Sequence, residues 1–314
     1  MLSFEDALAQ LLAAAKPVSE VRWLPTQAAA GRVLAQDLTS TVNVPPLDNS
    51  AMDGYAVRAA DIPVPGTVLP VSQRIPAGSV GTTLEPGTAA RIFTGAPVPP
   101  GADAVIMQER CEHAGEGRVN FQHVPKAGEN IRRAGEDVAK DARILAAGTR
   151  LGPAQLAFAA AVGLAEVPVY RRLRVATFFT GDELVMPGQP LPAGAIYNSN
   201  RYAIVALLER LGCEVKDLGQ VPDSLEATRA ALREAADAAD LVVTCGGVSV
   251  GEEDHVKPAV EAEGSLNLWS IAIKPGKPLA LGEVRRSEGE SAGQGSAAFI
   301  GLPGNPVSAF VTFL

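Results

Sequence analysis

Beyond Arg172, short apolar runs alternate with amphipathic stretches over 173–179, 201–211, 214–218, 225–238 and 241–245. The first, third and last have strand length and are dominated by Leu, Val and Phe. The second and fourth space their apolar side chains three and four apart, so the order predicts strand, helix, strand, helix, strand. Few folds accept such a chain. Successive parallel strands need a crossover helix, and right-handed crossovers cover both faces of one sheet. Gly212 stands where the first helix needs a left-handed C-terminal residue, and Ser224 where the second needs an N-cap oxygen. Ligand loops gather at the carboxyl ends of strands in such a sheet, which directs attention to 180–200, 221–224 and 246–254.

The preceding half has a different texture. Ser3 opens a capped amphipathic pattern through Leu8, Leu11 and Leu12, and the region to about Val42 reads as helical with punctuation at Lys16-Pro17 and Ala30-Gly31. From Val44 to Asp137, Pro or Gly recurs every few residues between short apolar runs such as 91–93 and 104–107, the pattern of a compact β-rich module. Helical character returns over 153–162. The expected fold class is therefore α/β multidomain. Its segments read as helical at 1–43 and 139–171, β-rich at 44–138 and a three-layer αβα domain at 172–314; periodicity alone does not establish that the β-rich module is inserted into one helical domain. With 314 residues and 47% apolar side chains, the chain can bury more than one core. Ser, Gly and Glu crowd 285–295, which reads as an exposed loop, and a helical pattern opening after Pro306 runs to Leu314.

Charge and cysteine content exclude several function classes. Against 35 acidic residues stand 27 basic ones, a net charge of −8, with no Lys/Arg-rich run, so neither nucleic acid nor an anionic membrane is an expected partner. No apolar stretch is long enough to span a bilayer without Pro, Gly or charge. The three cysteines, Cys111, Cys213 and Cys245, are far apart and form no CxxC pair. Neither a disulfide framework nor a thiolate zinc site follows, and a reducing, cytoplasmic location is expected.

Several constellations carry chemistry. Lys274-Pro275-Gly276-Lys277-Pro278 has the residue choices of a type II turn, whose ends lie within about 7 Å, so both ammonium groups can converge on one small anion. Two like charges roughly 4 Å apart cost on the order of 1 to 4 kcal/mol in wet surroundings, a cost that a bound dianion reverses. A solvated surface turn is the plainer reading. Asp48-Asn49-Ser50-Ala51-Met52-Asp53-Gly54-Tyr55-Ala56 sets acids among small residues, with Gly54 expected to let the backbone approach a ligand closely. Acids beside Gly recur at Glu136-Asp137, Asp182-Glu183 and Glu252-Glu253-Asp254. Hard oxygen ligands of this kind suit Mg2+, although solvated turns look the same one by one. Gly246-Gly247-Val248-Ser249-Val250-Gly251 follows a strand and suits a phosphate or pterin edge. It also contains the G-x-S-x-G of a nucleophile elbow, but the only downstream histidine is His255, in the wrong order for that triad. His113 and His123 have no second ligand at metal spacing.

Taken together, these segments resemble the molybdopterin molybdenumtransferase family, which includes the E domain of gephyrin. The stretch from Pro45 through Asp53 to Ala56 carries the resemblance first, followed by Thr94-Gly95-Ala96-Pro97-Val98-Pro99 and Asn130 to Asp137. Thr180-Gly181-Asp182-Glu183-Leu184, Gly246 to Gly251, Ile273 to Pro278 and Gly301-Leu302-Pro303-Gly304-Asn305-Pro306-Val307-Ser308 complete it. The resemblance implies a homodimer that joins molybdate to adenylylated molybdopterin, releases AMP and uses Mg2+. It implies Asp53, Thr94 and Asp137 on one wall, facing Glu183, Asp223 and Asp254 of the other subunit. Asp53, Glu183 and Asp254 would hold the metal. Lys274, Lys277, Pro278 and Ser308 would seat molybdate, and Gly246, Gly247 and Ser249 the pterin phosphate. Protein partners implied are the molybdopterin adenylyltransferase and apo molybdoenzymes.

Two departures from the family pattern stand out. His255 follows Asp254 where many relatives are expected to carry an aromatic residue, and the small C-terminal β-barrel domain of the family is expected to be missing from this sequence. Two other functions share the αβα fold. An adenylyltransferase-like enzyme would lack the Asp53 and Thr94 segments, and a non-catalytic scaffold would not need an intact set of acids and lysines.

Overall fold

The computed structural model describes residues 3–247, 254–272, 274, 278–287 and 295–314, with backbone alone at 268–270 and 278. Two compact units emerge, Met1–Glu20 with Tyr170–Leu314, and Val21–Val169. The helices among the described residues are α1 (Phe4–Ala14), α2 (Pro153–Ala161), α3 (Ser199–Arg210), α4 (Leu225–Ala238), α5 (Val256–Glu263) and α6 (Pro306–Phe313). None is long and apolar enough to cross a membrane.

The first unit is built on a six-stranded sheet in the order Glu214–Val221, Arg174–Thr180, Leu241–Cys245, Ser296–Leu302, Pro278–Arg285, Gly264–Ser270. The first four strands are parallel, and the last two are each antiparallel to their inner neighbour. Every residue of Arg174–Thr180 after the first is buried, as a strand covered on both faces requires. Ala176 and Phe178 join one core with Leu232 and Ala235 of α4 and Val256 and Val260 of α5. Val175 and Phe179, pointing the other way, join Ala7 of α1, Ile204 and Leu208 of α3 and Ala309 of α6. Local signals set the boundaries. Ser224 Oγ accepts from the Ala227 amide at 3.3 Å at the start of α4, and Gly212 ends the α3 segment at φ +89°.

At the amino ends of these strands Asp240 is held by arginines. Arg171 donates from Nη1 to Oδ2 at 2.6 Å and from Nη2 to Oδ1 at 2.9 Å, and the Arg174 amide donates to Oδ2 at 2.9 Å. Burial pushes the Asp240 carboxyl up, but the Arg171 and Arg174 hydrogen bonds outweigh it and hold the group well below the ordinary carboxylate range.

In the second unit a six-stranded sheet runs in the order Ala104–Met107, Gly54–Val57, Ala89–Ile92, Thr67–Ile75, Arg118–Phe121, Cys111–His113. Tyr55, Leu69, Ile106 and Phe121 form a core on one side of it, and Ala56, Ile75, Ala90 and Ile92 another. A separate core gathers Leu34, Leu38, Leu151, Val167 and Val169 around Ala159 of α2. Gly54 is also required by the sheet: a Cβ there would lie 2.0 Å from the Ile106 carbonyl oxygen, so glycine permits the close approach of two strands.

The helical reading of 1–43 holds only for α1. Val21–Pro25 is a strand paired with Glu166–Tyr170, Thr26–Ala28 is a single 3-10 turn, and Leu38–Thr39 pairs with Arg143–Leu145. Pro17 and Pro25 interrupt any helix, and the apolar residues between find edges in the returning 139–171 segment, which local periodicity does not contain. α1 itself packs in the first unit through Ala7 and Leu11. The 285–295 loop lies mostly outside the described residues.

Replacing Asp240 by Asn should cost about 2 kcal/mol of stability, because the arginines would lose a charged acceptor in a half-dry site. A depressed folded pKa places that contribution above the unfolded carboxylate range, near pH 4, with loss as pH falls through the folded value. Urea unfolding of D240N and wild type at pH 7 checks it. Equal midpoints would remove Asp240 as a stabilising link.

Candidate active site

At the carboxyl ends of the Arg174–Thr180 and Leu241–Cys245 strands lies a hollow of about 430 Å³. Glu183, Asp223, Asp254, Gly246, Gly247 and Ser308 all line it, so one loop cluster collects these expected site residues from segments far apart in the chain. Two helix N-termini also open onto it. Asn198 caps α3 by accepting from the Arg201 amide at 3.1 Å, and Asn305 caps α6 by accepting from the Ser308 amide at 3.0 Å. First-turn amides of both helices carry partial positive charge, suited to an oxyanion or phosphate.

The turn after the central strand admits only glycine. Gly246 has φ +101°, and a Cβ on it would stand 2.5 Å from the Thr180 carbonyl oxygen. Gly247 has φ +65°, and a Cβ there would stand 2.8 Å from Cγ2 of Val256. Beside this turn, Asn200 Nδ2 donates to Gly304 O at 2.7 Å and to Cys245 Sγ at 3.1 Å, while the Cys245 thiol donates to Pro303 O at 2.9 Å. Burial pushes the Cys245 thiol up to about 12, which makes it a tie between loops rather than a nucleophile. Asn198, Asn200 and Asn305 were not singled out from the sequence. Their signal was present as Asn directly before a helical pattern, and as Asn-Pro at the start of α6.

Other expected residues fall differently. Lys274 is exposed and is not among the described residues lining the hollow. Pro278 opens a strand antiparallel to Ser296–Leu302, with Ala280 opposite Gly301, so Pro278 belongs to the same sheet edge as the hollow. Ser249, Lys277 and the middle of the 274–278 turn lie outside the described residues, as does the serine of the nucleophile elbow. His255 caps α5 without a side-chain cap bond.

In the second unit three of the sequence motifs are knitted together. Asp53 Oδ1 accepts from the Thr94 amide at 2.8 Å and from Thr94 Oγ1 at 2.7 Å. The Thr94 amide first, and then its hydroxyl, hold the Asp53 carboxyl below its ordinary value. Asn49–Ser50 pairs with Ile131–Arg132, the Gly95 amide donates to Ser50 O at 2.8 Å, and the Asp137 amide to Val44 O at 2.9 Å. Asp48 is ion-paired with Arg133 and Asp137 with Arg132. His123 is satisfied locally, between Arg110 at 2.9 Å and Glu129 at 2.8 Å. Among the described residues no group of three or more His, Cys, Asp or Glu stands close enough to enclose a metal ion. The hollow's carboxylates fit a hard cation shared with a phosphate, and do not form an all-protein cage.

Residues 2–163 match the family model described as the MoeA N-terminal region (domain I and II), and residues 176–314 match a probable molybdopterin binding domain. A protein named molybdopterin molybdenumtransferase from Haemophilus influenzae is 45% identical over 313 residues, covering 100% of this chain and 75% of the relative. The chain belongs to the molybdopterin molybdenumtransferase family. A member from Nostoc sp. is 42% identical over 292 residues, covering 91% of this chain and 65% of the relative. A solved structure of a molybdopterin biosynthesis moea protein from Pyrococcus horikosii superposes with a TM-score of 0.84 at 33% identity, covering 100% of this chain and 77% of that one. Family membership makes the chain a transferase.

Gly247→Ala should cost roughly 1 to 3 kcal/mol, because a left-handed residue would also have to displace Val256. A chemical-denaturation midpoint equal to wild type would show that the turn has slack. Thr94→Val should raise the Asp53 titration midpoint while leaving it below the ordinary carboxylate value, since the backbone donor survives. Carboxyl carbon NMR across the acid range reads this directly, and an unmoved midpoint would contradict the assigned hydrogen bond.

Proposed function

We propose that this chain inserts molybdate into adenylylated molybdopterin, with release of AMP, to complete molybdenum cofactor. One observation carries the reading. Carboxylates, a glycine turn and two helix N-termini meet in a single hollow at the carboxyl edge of the sheet, so donors for an anion and ligands for a cation lie side by side. Gly246, Gly247 and Ser249 take the pterin phosphate side, where backbone amides approach without a Cβ in the way. Lys274, Lys277, Ser308 and the Pro278 turn seat molybdate through ammonium and hydroxyl donors. Asp53, Glu183 and Asp254 hold Mg2+, with Thr94, Asp137 and Asp223 orienting the acids and the bridging phosphates. When bound, the cation neutralises phosphate charge and makes AMP a better leaving group.

The catalytic cleft joins the second unit of one subunit to the first unit of another, so that Asp53, Thr94 and Asp137 face Glu183, Asp223 and Asp254 across a homodimer. The 44–138 module is an insertion in a domain formed by 21–43 and 139–169, a division supported by the separate cores around Tyr55 and Leu34. The enzyme works in the cytoplasm, receiving substrate from a molybdopterin adenylyltransferase and passing product to apo molybdoenzymes. An adenylyltransferase reading is disfavoured by the match of 2–163.

Incubation with adenylylated molybdopterin, Mg2+ and molybdate should yield AMP and a cofactor that reconstitutes an apo molybdoenzyme. D53A and K274A should each lower that yield by about 100-fold without unfolding the chain. Mixing D53A with E183A and allowing subunits to exchange should restore about one quarter of wild-type activity, because half the dimers would then carry one intact site of two. No recovery after demonstrated exchange would reject the shared cleft, and wild-type yield from D53A would reject the role of Asp53.

A further inference from the structure

In the second unit a single cation spans both flanks of Asp53. Arg91, half-buried in the Ala89–Ile92 strand, donates from Nη1 to Gly54 O at 3.1 Å and from Nη2 to Gln108 Oε1 at 2.6 Å. The Gln108 amide in turn donates to Asp53 O at 3.0 Å. The same guanidinium lies over the Tyr55 ring at 5.1 Å and the Phe93 ring at 4.8 Å, and Phe93 immediately precedes Thr94. Arg74 covers Phe93 as well, at 4.5 Å, so the ring before Thr94 is gripped by two guanidinium groups. Among the described residues Arg91 forms no ion pair. The charge acts on the Asp53 carboxylate through space, but only the planar fork, committed to neutral acceptors and ring faces, fixes directions.

We propose that Arg91 is the positioning residue of the Asp53–Thr94 pair: one guanidinium braces the Gly54 carbonyl and Gln108 on one side of Asp53 and the Phe93 ring on the other. Asp53 is thereby presented with its carboxylate already seated on the Thr94 amide and hydroxyl. The catalytic consequence rests on the function proposed above, in which Asp53 takes part in the reaction.

Arg91→Met keeps the stem that packs on Tyr55 and Phe93 and removes every donor, and Arg91→Lys keeps the charge without the fork. In the full chain, amide hydrogen exchange at Thr94 and Gln108 should quicken about tenfold or more in R91M, while the Thr67–Ile75 and Arg118–Phe121 strands retain their protection. Turnover should fall at least about tenfold with KM within about twofold of wild type, since a misplaced group is lost from kcat rather than from substrate binding. R91K should lie between the two. Unchanged exchange at both amides in folded R91M overturns the brace, as does loosening of the whole sheet, which would mark Arg91 as merely structural. Full recovery in R91K would also overturn it, because charge alone would then suffice. Wild-type turnover by D53A would instead reject the role proposed above for Asp53, and with it the catalytic half of this inference, while the exchange result would stand.

Discussion

The contact between the Gly246–Gly247 turn and Thr180 is the constraint around which the first unit is organised. Two parallel strands end together there, and the chain leaving one must pass over the last residue of the other with no space for a side chain. Positive φ at both glycines turns the backbone at once. A hollow lies at the strand ends beside this turn, and the N-termini of α3 and α6 reach it. Asn200 and Cys245 hold those neighbours in register through Gly304 and Pro303, so the hollow is preformed by hydrogen bonds within the protein.

The two ends of the sheet use acidic residues in opposite ways. At the amino end, Asp240 is committed to Arg171 and Arg174, and its charge is compensated wholly inside the fold. At the carboxyl end, Glu183, Asp223 and Asp254 share a hollow with helix N-termini. The first arrangement fastens strands together. The second sets carboxylates beside backbone amides that can donate to an anion, with no arginine among the described residues that line it.

A parallel distinction exists in the second unit. Asp48 is tied to Arg133, a pair that joins the strand carrying Asn49 and Ser50 to the returning 130–137 segment, while Asp137 is tied to Arg132 within that segment. Asp53, by contrast, is held by the amide and hydroxyl of Thr94, and among the described residues no cation is bonded to it, Arg91 acting on its carboxylate through space. Adjacent acids in one motif thus have different duties, and only the hydrogen-bond partners separate them.

Much of this protein was legible in its residues because the relevant information is local. The alternation beyond Arg172, the cap at Ser224, the left-handed Gly212 and the Pro-started α6 each depend on side chains within a few positions, and each appears where the sequence places it. Local pattern failed at 21–43, where strand residues find partners more than a hundred positions away, as in the bridges of Val33 to Arg150 and Leu34 to Val169. It did not show the strand contact at Gly54, nor Asn198, Asn200 and Asn305, whose importance depends on which loops share an edge. The sequence by itself determined the alternating elements beyond Arg172, their caps and the family. Only the tertiary structure decided which of the acids meet and what holds them, because hydrogen bonds between distant segments form only after the sheet has brought its strand ends together.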